Sequence, residues 1–445
     1  MTMSIKPRLQ CMVPPSLALA LRVSRLAGIA PLKFVAKQSN IMIRLSTSLC
    51  VYSYLLVTAL NVCTLIAVMI DFSVPVKLSI RMQTETKRFV WIADVVIVGI
   101  LSGVGVYTAP IQMRRLIAYL HRIHKINSDL GTYSSSLTDK MLHRLTIGML
   151  LITSVIIVTD FTFVMYLADL NHRQLLIAIM YWCYYCSYFI AHLLEMQFVL
   201  IAALALSSLK LVNNGLRTLL HQSGIESLTE IPNSNEQHTA NAILPQPPKK
   251  SVNNSIDTLA FVVTKRSVRF PTAGWMDQRT IRRLALSYGS ICEVVRQIDN
   301  NNGIIVLLLL ASFLLHLVVT PYYLIISFVT ESPHTGFEKV LNPILQTVWC
   351  LYHTFGLVMI IEPCHRTHEE METTRELVSR VMCSADPRDP ISIELEMFFR
   401  QLVLNKASYA PLKVCTLTRS LVATILGSIT TYLIVIVQLE IKNMQ

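Results

Sequence analysis

Seven long apolar stretches, separated by polar segments, dominate the chain. Each is long enough to cross roughly 30 Å of hydrocarbon as a helix, so the pattern predicts an all-α membrane protein with seven transmembrane helices. The predicted spans are residues 48–70, 89–109, 145–169, 176–208, 303–329, 343–362 and 419–440. Asp94 interrupts the second span, and His353 interrupts the sixth.

Composition and charge placement support this interpretation and orient the chain. Of the 445 residues, 53% are hydrophobic and 15% charged, and the mean hydropathy is +0.51, which excludes a soluble protein of this size. Cytoplasmic loops accumulate lysine and arginine, and 32 of the 39 such residues lie on the N-terminal side of the membrane. We therefore predict a cytosolic N-terminus and an extracellular C-terminus. The net charge of +12 fits this bias and attraction to anionic lipid better than nucleic-acid binding.

The segments between the spans differ in character. An amphipathic stretch at 16–36 contains Arg22 and Arg25, so we expect it to lie on the membrane surface rather than to act as a signal peptide. Residues 223–256 are polar and rich in proline, which predicts a disordered cytosolic insertion.

Two further cytosolic regions have a helical spacing of apolar residues. Residues 276–300 could extend the fifth span, and 363–415 is interpreted as two helices separated by the breaker Asp386 to Pro390. Their apolar faces need partners, which favours a cytosolic helical bundle that joins subunits.

The seventh span has one narrow stripe of small and polar residues. Its members fall within an arc of about 100° on a helical projection. They are Ser420, Thr424, Gly427, Ser428, Thr431 and Gln438. Such a stripe can mean close helix packing, or it can line a water-filled path between copies of the helix. Gln438 near the outer end favours the second interpretation, and Glu440 would then form a ring of carboxylates that attracts cations.

Aromatic and polar residues also gather in the outer halves of four other spans. The candidates are Asp160 in the third span, Tyr181 and Trp182 in the fourth, Thr320 and Tyr323 in the fifth, and Gln346, Trp349 and His353 in the sixth. Aromatic faces pack against the C–H faces of sugars, while a carboxylate or amide binds hydroxyl groups, so this mixture suits a small polyhydroxylated ligand. For the aromatic residues the alternative is the ordinary interfacial belt. Asp160 is harder to explain that way, because ionisable groups within spans usually mark sites.

No motif indicates an enzyme. Cys183 and Cys186 have CxxC spacing, but no second pair accompanies them in their apolar helix, so packing explains them better than metal or redox chemistry. The histidines of His365 to Glu370 lack the order of a zinc-protease motif. We expect no cofactor, no metal and no catalytic residues.

Several segments resemble one protein family. Thr431-Tyr432, five apolar residues and then Gln438 resemble the C-terminal TYxxxxxQF signature of insect gustatory receptors, with Leu439 where phenylalanine is usual. Further segments resemble the fructose-receptor branch: SIRMQTETKRF before the second span, LLHLVVTPYYL in the fifth and LQTVWCLYHTFGLVMIIEPCH in the sixth.

This resemblance implies the insect chemoreceptor ion-channel fold, a tetramer whose seventh helices line the pore of a ligand-gated cation channel. By position, Gln346 and Trp349 correspond to the ligand pocket, and Gln438 and Leu439 to the pore constriction. The resemblance further implies a homotetramer or hetero-oligomer in the plasma membrane of sensory neurons. Its pore would conduct Na⁺, K⁺ and Ca²⁺ when a sugar binds. Met180 stands where fructose receptors have tryptophan, so an inositol or another polyol remains an alternative.

The expected organisation has four parts: a cytosolic N-terminal segment (1–46), a ligand-binding domain of six spans (47–362), a cytosolic oligomerisation region (363–418), and the pore helix with the extracellular C-terminus (419–445). The rival classes are a G-protein-coupled receptor and a transporter. The predicted extracellular C-terminus opposes the first, and the lack of a visible internal repeat opposes the second.

Overall fold

A computed structural model describes most of the chain. It covers residues 11–37, 40–73, 79, 85–131, 136–170, 175–222, 278–329, 338–385, 388 and 390–444. The expected disordered insertion at 223–256 lies outside the described residues.

Eleven α-helices are present within the described ranges. They are α1 (Pro15–Leu26), α2 (Thr47–Ser73), α3 (Glu85–Tyr107), α4 (Ala109–Asp129), α5 (Ser136–Leu170), α6 (Leu175–Met180), α7 (Trp182–Gln222), α8 (Gln278–Val329), α9 (Glu338–Ser384), α10 (Pro390–Leu404) and α11 (Arg419–Met444). Seven of them are long and apolar enough to cross a membrane: α2, α3, α5, α7, α8, α9 and α11. This confirms the prediction of seven spanning helices.

Several helices continue well beyond the predicted spans. α8 runs without a break from the polar segment at 278 through the fifth span, and α9 continues through Pro363 to Ser384. The predicted fourth span is divided, because a turn at Tyr181 separates α6 from α7. α4 was not predicted; its apolar residues follow a helical period, and Leu116, Ile123 and Ile126 are buried.

A small β-sheet near the N-terminus was also not predicted. Its strands are β1 (Cys11–Met12), β2 (Leu32–Lys37) and β3 (Asn40–Leu45), in the antiparallel order β1-β3-β2. The stretch interpreted as one amphipathic segment at 16–36 therefore contains a helix and then most of a strand. α1 packs Leu17 and Leu21 into the core.

The helices differ strongly in burial within the subunit. In the most apolar window of α7, 83% of residues are buried, compared with 6% in α11. α7 is thus the centre of the bundle, and side chains on its faces can meet several other helices. α11 lies at the edge, where it packs mainly on α8 and α9.

Two hydrogen bonds hold the linker between α10 and α11 in place. The Tyr409 N–H donates to His368 Nε2 at 3.0 Å, and the Ala410 N–H donates to Asp299 Oδ1 at 2.9 Å. A 3-10 turn follows at Pro411–Lys413, in which Leu412 and Lys413 adopt positive φ angles of 48° and 61°. These contacts fix the start of α11 relative to α8 and α9.

Candidate ligand site and pore helix

Tyrosines recur at intervals of three or four residues from the α6–α7 turn along one face of α7, so their side chains project in one direction. Each of three hydroxyls donates a hydrogen bond to an aspartate of a different helix. The pairs are Tyr181 with Asp71 of α2 (2.7 Å), Tyr184 with Asp94 of α3 (2.7 Å), and Tyr185 with Asp160 of α5. A buried carboxylate is costly unless it accepts hydrogen bonds, so these contacts fix α7 against three neighbours.

The same face leads into an aromatic cluster, which we define as Tyr188, His316, Trp349, Tyr352 and His353. Trp349 stacks on His353 with ring centroids 5.6 Å apart and planes 19° apart. Tyr188 meets the Trp349 ring edge-on at 5.2 Å, and its hydroxyl lies 3.3 Å from His353 Nδ1. The His316 and His353 rings are 4.4 Å apart. α7, α8 and α9 thus converge on one set of flat surfaces.

Ionisable groups border this cluster on two sides. His316 Nε2 lies 2.8 Å from Asp94 Oδ1, close enough for an ion pair although the two are not aligned for a hydrogen bond. On the other side, the Tyr352 hydroxyl lies 2.8 Å from His192 Nδ1, which is 3.2 Å from Glu195 Oε2. Buried polar groups therefore form an almost continuous chain across the centre of the bundle.

The structure brings some of the predicted ligand residues together and separates others. Trp349 and His353 are in direct contact, and Asp160 is joined to the tyrosine face through Tyr185. Gln346 lies one turn before Trp349 on α9 and is partly buried. Trp182 is 40% exposed and packs on Phe161 of α5, away from the aromatic cluster.

The remaining predicted positions lie on α8 and at the α6–α7 turn. Thr320 is buried one turn from His316, and Tyr323 packs against Tyr322 with centroids 5.6 Å apart. Tyr181 is buried at the α6–α7 turn, with its ring edge-on to Trp91 at 5.4 Å. Their roles in ligand binding stay predictions.

The site selection from sequence left out three members of the cluster. Tyr188, His316 and Tyr352 were not among the predicted ligand residues, yet all three are buried there. Helical spacing could have found them. Tyr188 lies seven residues after Tyr181, His316 four before Thr320, and Tyr352 three after Trp349.

This arrangement provides flat aromatic surfaces and hydrogen-bonding groups of both kinds. Such a combination can hold the C–H face of a ring and its hydroxyl groups at once. Within the described residues, no three His, Cys, Asp or Glu side chains are placed to hold a metal ion.

The small and polar stripe of α11 faces away from the rest of the subunit. Ser420, Thr424, Thr431 and Gln438 are exposed, whereas Ile429 on the opposite side is buried. Thr431 Oγ1 donates to Gly427 O at 3.1 Å, so this hydroxyl is satisfied within its own helix. The side chains of Leu439 and Glu440 lie outside the described part of the structure.

A salt bridge fastens the first turn of α11 to α9. Arg419 Nε lies 3.0 Å from Glu362 Oε2, and Arg419 Nη2 lies 2.8 Å from Glu362 Oε1. Arg366 Nε also donates to Glu362 Oε1, at 2.6 Å. We call this bidentate contact of Glu362 and Arg419 the α9–α11 clamp.

A family model described as "7tm Chemosensory receptor" matches residues 17–443, nearly the whole chain. The chain belongs to the 7tm chemosensory receptor family. This confirms the resemblance found in the sequence and the prediction of a receptor rather than an enzyme. Together with the seven apolar helices, it identifies a multi-pass membrane protein.

Among relatives of this chemosensory receptor, the "gustatory receptor for sugar taste 43a" of Drosophila melanogaster is 25% identical over 382 residues, covering 82% of this chain and 84% of the relative. The fold is similar to the insect olfactory receptor OR5 from Machilis hrabei, with a TM-score of 0.59, 12% identity, and coverage of 95% of this chain and 97% of that one. The eugenol complex of OR5 matches with a TM-score of 0.53, at the same identity and coverage.

Proposed function

We propose that this protein is a gustatory receptor that acts as a ligand-gated, non-selective cation channel opened by a sugar, with fructose the first candidate. The observation that carries the proposal is the buried aromatic cluster of α7, α8 and α9, bordered by Asp94, His192 and Glu195. The similarity to a sugar taste receptor of Drosophila supports a sugar as the ligand.

In this proposal the ligand lies among the third to sixth spanning helices, with one ring face on Trp349. Gln346 and Asp160 are proposed to bind hydroxyl groups, assisted by His353 and Thr320. Tyr181, Trp182 and Tyr323 are proposed to form the more peripheral wall. A neutral, polyhydroxylated molecule satisfies such a mixture of donors and acceptors without adding charge to a buried site.

The pore is proposed to run along the axis of a tetramer, lined by one α11 from each subunit. Exposure of Thr431 and Gln438 on the side of α11 that faces away from the subunit supports this placement. Leu439 is proposed to form the constriction beside Gln438, and Glu440 an acidic ring at the extracellular mouth. Na⁺, K⁺ and Ca²⁺ would pass, with the N-terminus in the cytosol of a sensory neuron and the C-terminus outside.

Gating is proposed to follow from unequal affinity of the ligand for two arrangements of the helices, since a ligand shifts an equilibrium only by that difference. α9 carries Trp349 near one end of its span and Glu362 about 20 Å further along. Movement of α9 at the ligand would therefore reach α11 through the α9–α11 clamp.

Whole-cell current recorded with Trp349→Ala tests the pocket. We expect the sugar-evoked current to be lost, because the variant removes the surface on which the ring stacks, while assembled protein still reaches the cell surface. Phe355→Ala on the same helix is the matched control, since Phe355 is 45% exposed and lies outside the cluster. An unchanged dose response in Trp349→Ala would contradict the assignment of Trp349 to the pocket.

A ligand screen separates the sugar from its alternative. Fructose, glucose, sucrose and inositols should be compared on the same cells, because Met180 stands where fructose receptors have tryptophan. A response confined to inositols would replace fructose with a polyol. Current in excised patches without nucleotide or G protein, together with an accessible C-terminal epitope on intact cells, distinguishes a channel from a G-protein-coupled receptor.

A further inference from the structure

A second polar site lies away from the aromatic cluster, between α4, α7 and α8. This inner cavity is lined on its polar side by Gln112, Tyr119, Gln197, Asn301 and Asn302, with Met113, Leu116, Leu194, Ile201 and Ile305 completing the wall. Gln112 follows the end of the predicted second span, and Asn302 directly precedes the predicted fifth span. The inner cavity is therefore at the predicted cytosolic boundary of the membrane.

The amide of Gln197 is the exceptional group in this cavity. Only 5% of Gln197 is exposed, yet its buried Nε2 has no hydrogen-bond partner among the described residues. A buried amide donor left unsatisfied costs about 1–3 kcal/mol. The site is thus built to donate a hydrogen bond to an acceptor that the described residues do not supply.

Each neighbouring amide nitrogen, unlike that of Gln197, already donates a hydrogen bond. Asn301 Nδ2 donates to the Tyr119 hydroxyl at 2.6 Å, Asn302 Nδ2 to the Ile298 carbonyl at 2.9 Å, and Gln112 Nε2 to Thr108 Oγ1 at 2.5 Å. The enclosed part of the cavity has room for about one oxygen-sized group. It can therefore take a single carbonyl or hydroxyl oxygen, but not a whole ligand.

One arginine borders the cavity. Arg115 Nη1 donates to Asn301 Oδ1 at 2.8 Å, which places its guanidinium one hydrogen bond from the cavity. Arg115 is exposed, and it forms no salt bridge with a carboxylate in the described part of the chain. Arginines at the cytosolic membrane surface attract phosphate groups of anionic lipids.

We infer that the inner cavity binds the headgroup region of an anionic phospholipid of the cytosolic leaflet. The phosphate lies on Arg115, and an ester or headgroup oxygen enters the cavity to accept a hydrogen bond from Gln197 Nε2. An amphiphile fits better than a soluble ion, because the site combines an exposed arginine at the membrane surface with an apolar wall and one buried donor. The inference rests on the proposed cytosolic N-terminus, but requires neither a sugar ligand nor an α11 pore.

Lipid retention measured by native mass spectrometry tests this inference. The full-length receptor is reconstituted in phosphatidylcholine vesicles with or without phosphatidylserine, extracted, and scored for bound phosphatidylserine. The variants are Gln197→Leu and Arg115→Gln, with Arg122→Gln as the matched control. Arg122 is exposed on the same face of α4, about 10 Å further into the cytosol.

We expect wild type and Arg122→Gln to retain phosphatidylserine equally. Arg115→Gln should lose about tenfold in retention, and Gln197→Leu about fivefold, as expected for one charge-assisted and one neutral hydrogen bond. Gln197→Met replaces Gln197→Leu if the latter does not assemble.

Other outcomes would overturn the inference. Equal losses in Arg115→Gln and Arg122→Gln would mean unspecific attraction to the surface, and full retention in the Gln197 variants would remove the cavity from the site. Release of bound lipid by millimolar inorganic phosphate would indicate a soluble phosphate ligand instead. An accessible N-terminus on intact cells would place the cavity at the outer leaflet and would overturn the assignment to a lipid of the cytosolic leaflet.

Discussion

The α9–α11 clamp offers a direct test of how the proposed ligand site reaches the proposed pore helix. Glu362 lies 13 residues after Trp349 on α9, and its carboxylate binds the first residue of α11. Glu362→Gln and Arg419→Gln each remove one charge of this contact while keeping the side-chain size similar. Both variants leave every residue of the aromatic cluster unchanged.

The size of the effect follows from the geometry and exposure of the pair. Hydrogen bonds to charged groups contribute about 1.5–3 kcal/mol when they are shielded from water. The side chains of Arg419 and Glu362 are 54% and 27% exposed, so solvent screening reduces the contribution to about 1 kcal/mol. A change of about 1 kcal/mol alters a two-state equilibrium about fivefold.

The assay is the dose response of the sugar-evoked current in the two single variants and the double variant. We expect each single variant to shift the half-maximal concentration about fivefold in the same direction, and the double variant to shift it little further, because the bidentate contact of Glu362 and Arg419 is lost in all three. The other partners of this pair, Arg366 and Glu369, both lie on α9. Arg375→Gln is the control, since Arg375 pairs with Glu372 on the same helix without contacting α11.

Additive or opposite shifts of the single variants would refute the reasoning. In that case Glu362 and Arg419 would act through separate partners, and the clamp would not transmit movement of α9. A shift of equal size in Arg375→Gln would also refute the reasoning. It would show that the half-maximal concentration depends on the overall charge of the cytosolic part of α9 and not on the clamp.

Two further predictions concern the pore helix and the tyrosine face. Gln438→Ala should change the basal leak or the ion selectivity measured from reversal potentials, whereas Leu426→Ala, which lies about 120° around α11, should not. Wild-type behaviour in Gln438→Ala would contradict a pore role for that residue. Tyr184→Phe should lower stability by about 1–3 kcal/mol in thermal unfolding of the purified receptor, because Asp94 loses a buried hydrogen bond. Tyr166→Phe is the control at an exposed site, and equal melting of the two variants would show that the Asp94 contact contributes nothing.

The spanning helices could be predicted because burial in lipid requires continuous apolar segments, which are visible in one dimension. The small N-terminal β-sheet is harder to predict from the sequence. Its longer strands, Leu32–Lys37 and Asn40–Leu45, are short and adjoin an amphipathic helix, and β3 also pairs with residues near the start of the chain. α4 was missed for a different reason, since its mean hydropathy is low and only the spacing of its apolar residues indicates a helix.

The candidate site was predictable in composition but not in pairing. The sequence places Asp160, Trp349 and His353 within spans, where polar and aromatic residues are conspicuous. Which tyrosine meets which aspartate depends on the rotation of α7 against α2, α3 and α5, and that rotation is set by packing along the whole bundle. The contact of Tyr185 with Asp160 therefore needed the three-dimensional structure.

The position of Pro363 connects these observations. Pro363 lies within α9, directly after Glu362, and proline removes one backbone hydrogen bond and disturbs the preceding turn of its helix. The part of α9 before Pro363 contacts α7 and α8 through Trp349 and His353, while the part after it meets the linker, where His368 accepts a hydrogen bond from Tyr409. A bend of α9 would be easiest at this weakened turn. Glu362 occupies the same turn, so such a bend would move the carboxylate that binds Arg419. The first turn of α11 would then change position together with α9.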